Sequence, residues 1–155
     1  MQDTMTKTEQ QIAQIMAAID PRSDVATRAA LLRKALRLAY PGITFSVRIS
    51  RYSMGSSIRV GWLDGPTVSA VEALTTQAER VYRDEMTGEI LNGGNSFVDT
   101  NREVSGALVA HAVAWMTGYL DAPGVRGAVE YDFNVRAAIE RRDWAAQRPL
   151  YGTER

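Results

Sequence analysis

The chain of 155 residues has no cysteine and a single histidine, His111. Without cysteine there is no disulfide framework, no thiolate zinc site and no cysteine nucleophile. One histidine leaves carboxylates as the only abundant metal ligands, and no acidic cluster has the spacing of a calcium-binding loop. No metal and no cofactor are therefore expected. Long apolar runs are missing too: nothing approaches the roughly 18 consecutive apolar residues of a membrane-spanning helix. The first residues lack a basic stretch followed by an apolar one, so no secretory signal is read and the expected compartment is the cytoplasm.

Lysine is nearly absent, with two lysines against sixteen arginines. The bland source of such a bias is a GC-rich genome, but arginine also offers a planar fork that suits phosphate or carboxylate. The layout of charge says more than its sum. Formal net charge is zero, yet residues 22–59 carry eight bases against one acid, and residues 64–103 carry eight acids against three bases. Opposite segments of this kind either pair inside the fold or present a two-signed surface to a partner.

What is present is ordinary globular material: 45% hydrophobic and 23% charged residues, enough for one buried core. A helical stripe, Ile12, Ile15, Met16 and Ile19, ends at Asp20-Pro21. Ser23 or Asp24 caps a second helix over about 25–40, with Val25, Ala29, Leu32 and Leu36 on one face and Arg33, Lys34 and Arg37 opposite. After Pro41-Gly42 the apolar period changes to two. Residues 43–50 and 57–63 alternate, with Ile58, Val60 and Trp62 turned inward, and read as a β-hairpin. A third helix follows Asp64-Gly65-Pro66-Thr67 and runs to about Val81. Short strands are expected around Ile90-Leu91 and at 96–100, a fourth helix over 103–120 and a last one over 131–147. The fold class is α+β: a small antiparallel sheet built on the hairpin and packed against several helices. Residues 1–21 form an N-terminal helix or arm and 22–155 a single domain. The Ile12–Ile19 stripe either packs on that domain or serves a homodimer.

No catalytic constellation emerges. His111 shares a helix face with Leu108 and Trp115; a packed flank histidine is the first reading, a general base or ligand the second. No Gly-x-Ser-x-Gly elbow places a serine nucleophile. Gly93-Gly94 and Gly55 form neither a Walker loop nor a dinucleotide fingerprint and read as turn glycines. Asp84-Glu85 reads as a solvated loop pair. The most suggestive surface is the polar side of the hairpin: Thr44, Ser46, Arg48 and Ser50 point one way, beside Ser57 and Arg59, with Arg51 and Tyr52 at the tip. Hydroxyls among arginines can track a phosphate backbone, although the solvent face of a two-layer domain has the same composition. Arg33 and Arg37 extend this surface only if their helix lies beside the hairpin. If the helix covers the sheet's apolar side, the patch splits.

The run 36–71 resembles one of the large polyvalent protein-associated domains of phages and conjugative elements. The resemblance rests on Pro41-Gly42, Phe45-Ser46-Val47-Arg48, Tyr52-Ser53, Gly55-Ser56-Ser57-Ile58, Val60, Trp62 and Asp64-Gly65-Pro66-Thr67, with a weaker echo in Phe97-Val98 and 102–105. It implies action on host defence or on incoming DNA, and it supplies no catalytic residues. The resulting expectation is a mobile-element accessory protein of the host cytoplasm that binds stoichiometrically and inhibits a defence system, of anti-CRISPR or anti-restriction type. Its partner would be a host defence protein or ribonucleoprotein complex, and its binding residues Arg48, Arg51, Tyr52 and Arg59 with Arg33 and Arg37. Weak mimicry of DNA by the acidic segment 64–103 is a second route to the same end, and a nucleic-acid-binding module is the alternative function.

Overall fold

The computed structural model describes residues 5–91, 93–110, 112 and 140. The chain divides into two units, Met1–Trp62 with Ser69–Asn101, and Leu63–Val68 with Arg102–Arg155.

In the first unit, α1 (Lys7–Ala17) opens with a capping box: the Thr6 hydroxyl accepts the Glu9 amide while the Glu9 carboxylate accepts the Thr6 amide. Asp20-Pro21 stops it. Its stripe residues Ile15, Met16 and Ile19 are buried, and α1 packs on α2, so the apolar stripe is taken up within the chain. Helix α2 (Val25–Ala39) starts at Asp24, whose carboxylate accepts the Ala26 amide. Ala29, Leu32 and Leu36 are fully buried and α2 lies against β1.

Strands β1 (Ser46–Tyr52) and β2 (Gly55–Leu63) pair antiparallel around a two-residue turn, Ser53-Met54. The hairpin thus starts later and turns more tightly than the alternation suggests. Gly42 is in the left-handed region, and residues 43–45 have no strand partner. Burial follows the pleat: Ser56, Ile58, Val60 and Trp62 are covered, Arg59 is exposed, and Val47 is covered between exposed Ser46 and Arg48. An aromatic row of Tyr40, Phe45 and Trp62, centroids 5.9 and 5.6 Å apart, closes one end of this face.

Helix α3 (Val68–Thr75) ends sooner than predicted and passes into a 3₁₀ turn, Thr76–Ala78. The Thr76 hydroxyl donates to the Glu72 carbonyl at 2.6 Å, competing with the helix ladder. Strand β3 (Asn95–Glu103) then joins the outer side of β2, giving the order β1-β2-β3. The neighbours advance together: Met54 with Gly94, Ser56 with Ser96, Gly61 with Asn101. β3 is therefore parallel to β2, and the sheet is mixed. The α+β class holds. Helices gather on the apolar side, where Arg28 of α2 reaches Ser96 and Glu72 of α3 takes a hydrogen bond from Thr100. Ile90 forms only an isolated bridge to Arg83.

In the second unit, residues 106–110 and 112 are helical, within the span predicted for the fourth helix. His111 and nearly all of the expected last helix lie outside the described residues. Among the described residues, no helix is long and apolar enough to cross a membrane and no acid or histidine cluster could hold a metal.

Candidate functional site

The polar side of the hairpin is laid out as the alternation predicts. Arg48 lies directly opposite Arg59, with Ser46 opposite Gly61 and Ser50 opposite Ser57. Both arginines are exposed, and neither makes a hydrogen bond or ion pair among the described residues. Two guanidinium groups stand in cross-strand register among serines and a glycine, and the course of β3 brings exposed Asp99 alongside Arg59 without an ion pair between them. Like charges so placed work against the hairpin.

The other four candidate residues go elsewhere. Arg33 and Arg37 belong to the helix that covers the apolar side, so the patch splits. Arg33 wraps around the free edge of β1, where Nη2 donates to the Val47 carbonyl at 2.7 Å, capping an unpaired edge acceptor. It shares with Arg37, Ile43, Thr44 and Phe45 a shallow recess of 300 Å³. Arg51 has the parity of Val47 and Ile49 and points to the helix side, reaching Asp24 at 3.4 Å. Tyr52 is half exposed and pinned by a hydrogen bond from its hydroxyl to the Ser56 carbonyl at 3.1 Å.

Arg51 and Tyr52 instead line a polar cleft of 380 Å³ that the sequence reading passed over. Its floor is Arg28, only 1% exposed. Arg28 is fixed on three sides: Nε donates to the Ser23 carbonyl, Nη1 to the Ala78 carbonyl at 2.6 Å and Nη2 to Ser96 Oγ at 3.0 Å. All three acceptors are neutral, and no carboxylate pairs with Arg28 among the described residues. Burial lowers the Arg28 pKa, the like charge of Arg80 lowers it further, and only Asp24 works the other way. Arg22 and Arg80 complete the walls; Arg22 is paired with Asp20 at 3.7 Å, and Asp24 is the one carboxylate among the lining residues. The Asp24 carboxyl is itself held below the usual range, first by the Ala26 amide and, to a smaller extent, by Arg51.

Half of the eight acids in the middle segment are spent on structure. Glu72 accepts from Thr100 and Glu79 from the Val98 amide. Asp84 gathers the amides of Met86 and Thr87, which lower its pKa, with Thr87 the larger cause. Asp64 is bonded to Ser105.

A family model for the large polyvalent protein associated domain 29 matches residues 23–120. The chain belongs to this family. It is accordingly a phage or mobile-element associated protein. Comparison with curated proteins and with solved structures finds no match. The family match begins at the cleft, just before Asp24, and leaves α1 outside. In the second unit, Asp64-Gly65 and 102–105 form one joint. Arg102 donates through Nε to the Asp64 carbonyl at 3.1 Å and through Nη2 to the Gly65 carbonyl at 3.0 Å, while the Asp64 amide donates to the Glu103 carbonyl. Arg102 Nη1 meets Glu140 at 3.2 Å.

Proposed function

We propose that this domain 29 protein acts by binding rather than by catalysis, as a stoichiometric inhibitor of a host defence system of the anti-CRISPR or anti-restriction type. Arg48 and Arg59 are its contact residues, and an acidic protein or ribonucleoprotein surface is its partner. One observation carries the reading: two exposed arginines, unpaired among the described residues, held in register on the hairpin. Such an arrangement costs the hairpin stability and gains from an anionic surface. Four of the eight acids of 64–103, Asp64, Glu72, Glu79 and Asp84, are committed to internal hydrogen bonds, which leaves that segment less charge for mimicry of DNA and favours the arginine face.

The test is an affinity pull-down from a defence-bearing host with the wild-type chain and an Arg48→Glu/Arg59→Glu variant, each with and without nuclease. The expected result is capture of a defence component that survives nuclease and is lost in the double variant, whose circular dichroism stays native. Retained capture by the folded double variant would sink the assignment. Capture abolished by nuclease, with affinity falling steeply as salt is added, would identify a nucleic-acid module instead.

A further inference from the structure

The cleft floored by Arg28 is separate in chemistry from the open ribbon face. A buried guanidinium without a carboxylate partner is costly, and a second arginine beside it raises the cost. Here Arg28 has Arg80 as a like-charged neighbour and no ion pair among the described residues. A guanidinium carries five N–H donors; hydrogen bonds to Ser23, Ala78 and Ser96 engage Nε and each terminal nitrogen once. One N–H therefore remains on each terminal nitrogen of a fork that cannot swing away. Arg80 is tethered in the same manner, its Nε donating to the Gly94 carbonyl at 3.0 Å. Ser56 Oγ, 2.8 Å from Ser96 Oγ, stands at the wall as a further polar group.

We propose that this cleft binds a phosphate monoester, the terminal phosphate of a nucleotide. The dianion sits between Arg28, Arg51 and Arg80, and the nucleoside lies along the exposed ring of Tyr52. The charge balance selects the ligand: Arg22 is paired with Asp20 and Arg51 with Asp24, which leaves the two positive charges of Arg28 and Arg80, more than a single carboxylate neutralises and a match for a phosphate dianion. Several donors converging from different directions suit a tetrahedral group with three free oxygens better than a planar one. The volume of 380 Å³ is in the range of a small-molecule pocket and large enough for a mononucleotide. A ring whose hydroxyl is already tied to Ser56 offers a base a stacking surface with little ordering cost. The phosphate can come from a free mononucleotide or from the phosphorylated end of a nucleic-acid strand, since both present the same monoester.

The experiment titrates the full chain, by calorimetry, with inorganic phosphate, a nucleoside 5′-monophosphate, its unphosphorylated nucleoside, and one short oligonucleotide with either a 5′-phosphate or a 5′-hydroxyl. The expected result is saturable binding of the monophosphate and none of the nucleoside. Arg80→Gln and Arg51→Gln, which leave the Arg28 anchor intact, should each weaken binding by about tenfold or more. Arg48→Glu/Arg59→Glu should leave it unchanged, so failure here and failure of the ribbon-face reading are told apart. Preference for the 5′-phosphate oligonucleotide over both the mononucleotide and the 5′-hydroxyl strand assigns the ligand to strand ends; the reverse preference assigns it to free nucleotides. Absence of binding at millimolar monophosphate, equal binding of the nucleoside, or indifference to both glutamine variants overturns the proposal.

Discussion

Ser105 gives the Asp64 carboxylate two hydrogen bonds, from its amide to Oδ1 at 2.8 Å and from its hydroxyl to Oδ2 at 2.7 Å. The same hydroxyl oxygen accepts the Leu108 amide at 3.1 Å, which makes Ser105 the cap of the helical residues that begin at 106. Asp64 holds this position with φ +55, a left-handed backbone that Asp and Asn tolerate far better than alanine. Each end of the joint thus depends on the other.

Asp64→Ala should cost about 2–4 kcal/mol of stability, combining two lost bonds to a charged acceptor with an alanine in a left-handed conformation. Asp64→Asn keeps the conformation and one acceptor and should lose roughly half as much. Chemical denaturation of the two variants checks this; equal losses would show that the left-handed backbone and the retained acceptor carry no energy.

Arg48→Glu alone turns a repulsive cross-strand pair into an attractive one with Arg59. The expected change is a gain of up to about 1 kcal/mol, seen as a higher melting temperature, together with weaker partner capture. A lower melting temperature would contradict the register.

Gly55 is the tightest point of the sheet. Its φ is +154, and a Cβ there would overlap the carbonyl of Asn95 on β3, a backbone atom that cannot step aside alone. Gly55→Ala should destabilise the chain by about 2–4 kcal/mol, whereas Gly88→Ala, with open space around it, should cost less, about 1–2 kcal/mol for its positive φ alone. Urea midpoints of the two variants decide it.

Acid should weaken the fold in a predictable window. The carboxyls of Glu9, Asp24 and Asp84 are held below their ordinary values, chiefly by the backbone amides of Thr6, Ala26 and Thr87 respectively. A depressed folded-state pKa means that the stabilisation is whole above the unfolded value of about 4 and drains away as pH falls below it. Asp24→Asn retains a good cap but has no proton to take up, so its stability should fall less steeply below about pH 4 than that of the wild type. Parallel slopes would refute the assignment.

The hairpin was legible because alternation is a local signal and eight residues repeat it. Arg48 and Arg59 follow from that signal directly. Arg51 also carried one: it has the parity of Val47 and Ile49, which already points it to the helix side, away from the tip surface. Arg28 lies three residues after Val25 and four before Leu32, on the apolar stripe of α2, a placement that flags a buried cation. The remainder of the cleft was out of reach. Arg28 meets Ala78 and Ser96 across separations of 50 and 68 residues, and no pattern within α2 announces either. The parallel course of β3 was equally hidden, since Ser96–Thr100 looks the same in either direction. Helix α3 passes early into a 3₁₀ turn at Thr76, whose hydroxyl donates to a helix carbonyl, a side-chain contact to which periodicity is blind.

The parallel placement of β3 against β2 sets a schedule for synthesis. As the chain leaves the ribosome, the hairpin is complete long before residues 95–103 exist, so the outer rim of β2 stays naked and the α2 guanidinium waits without its serine acceptor. A nascent chain paused in that interval presents a sticky ribbon edge to its neighbours. Chains cut before Asn95 should therefore accumulate as aggregates rather than as a smaller folded core.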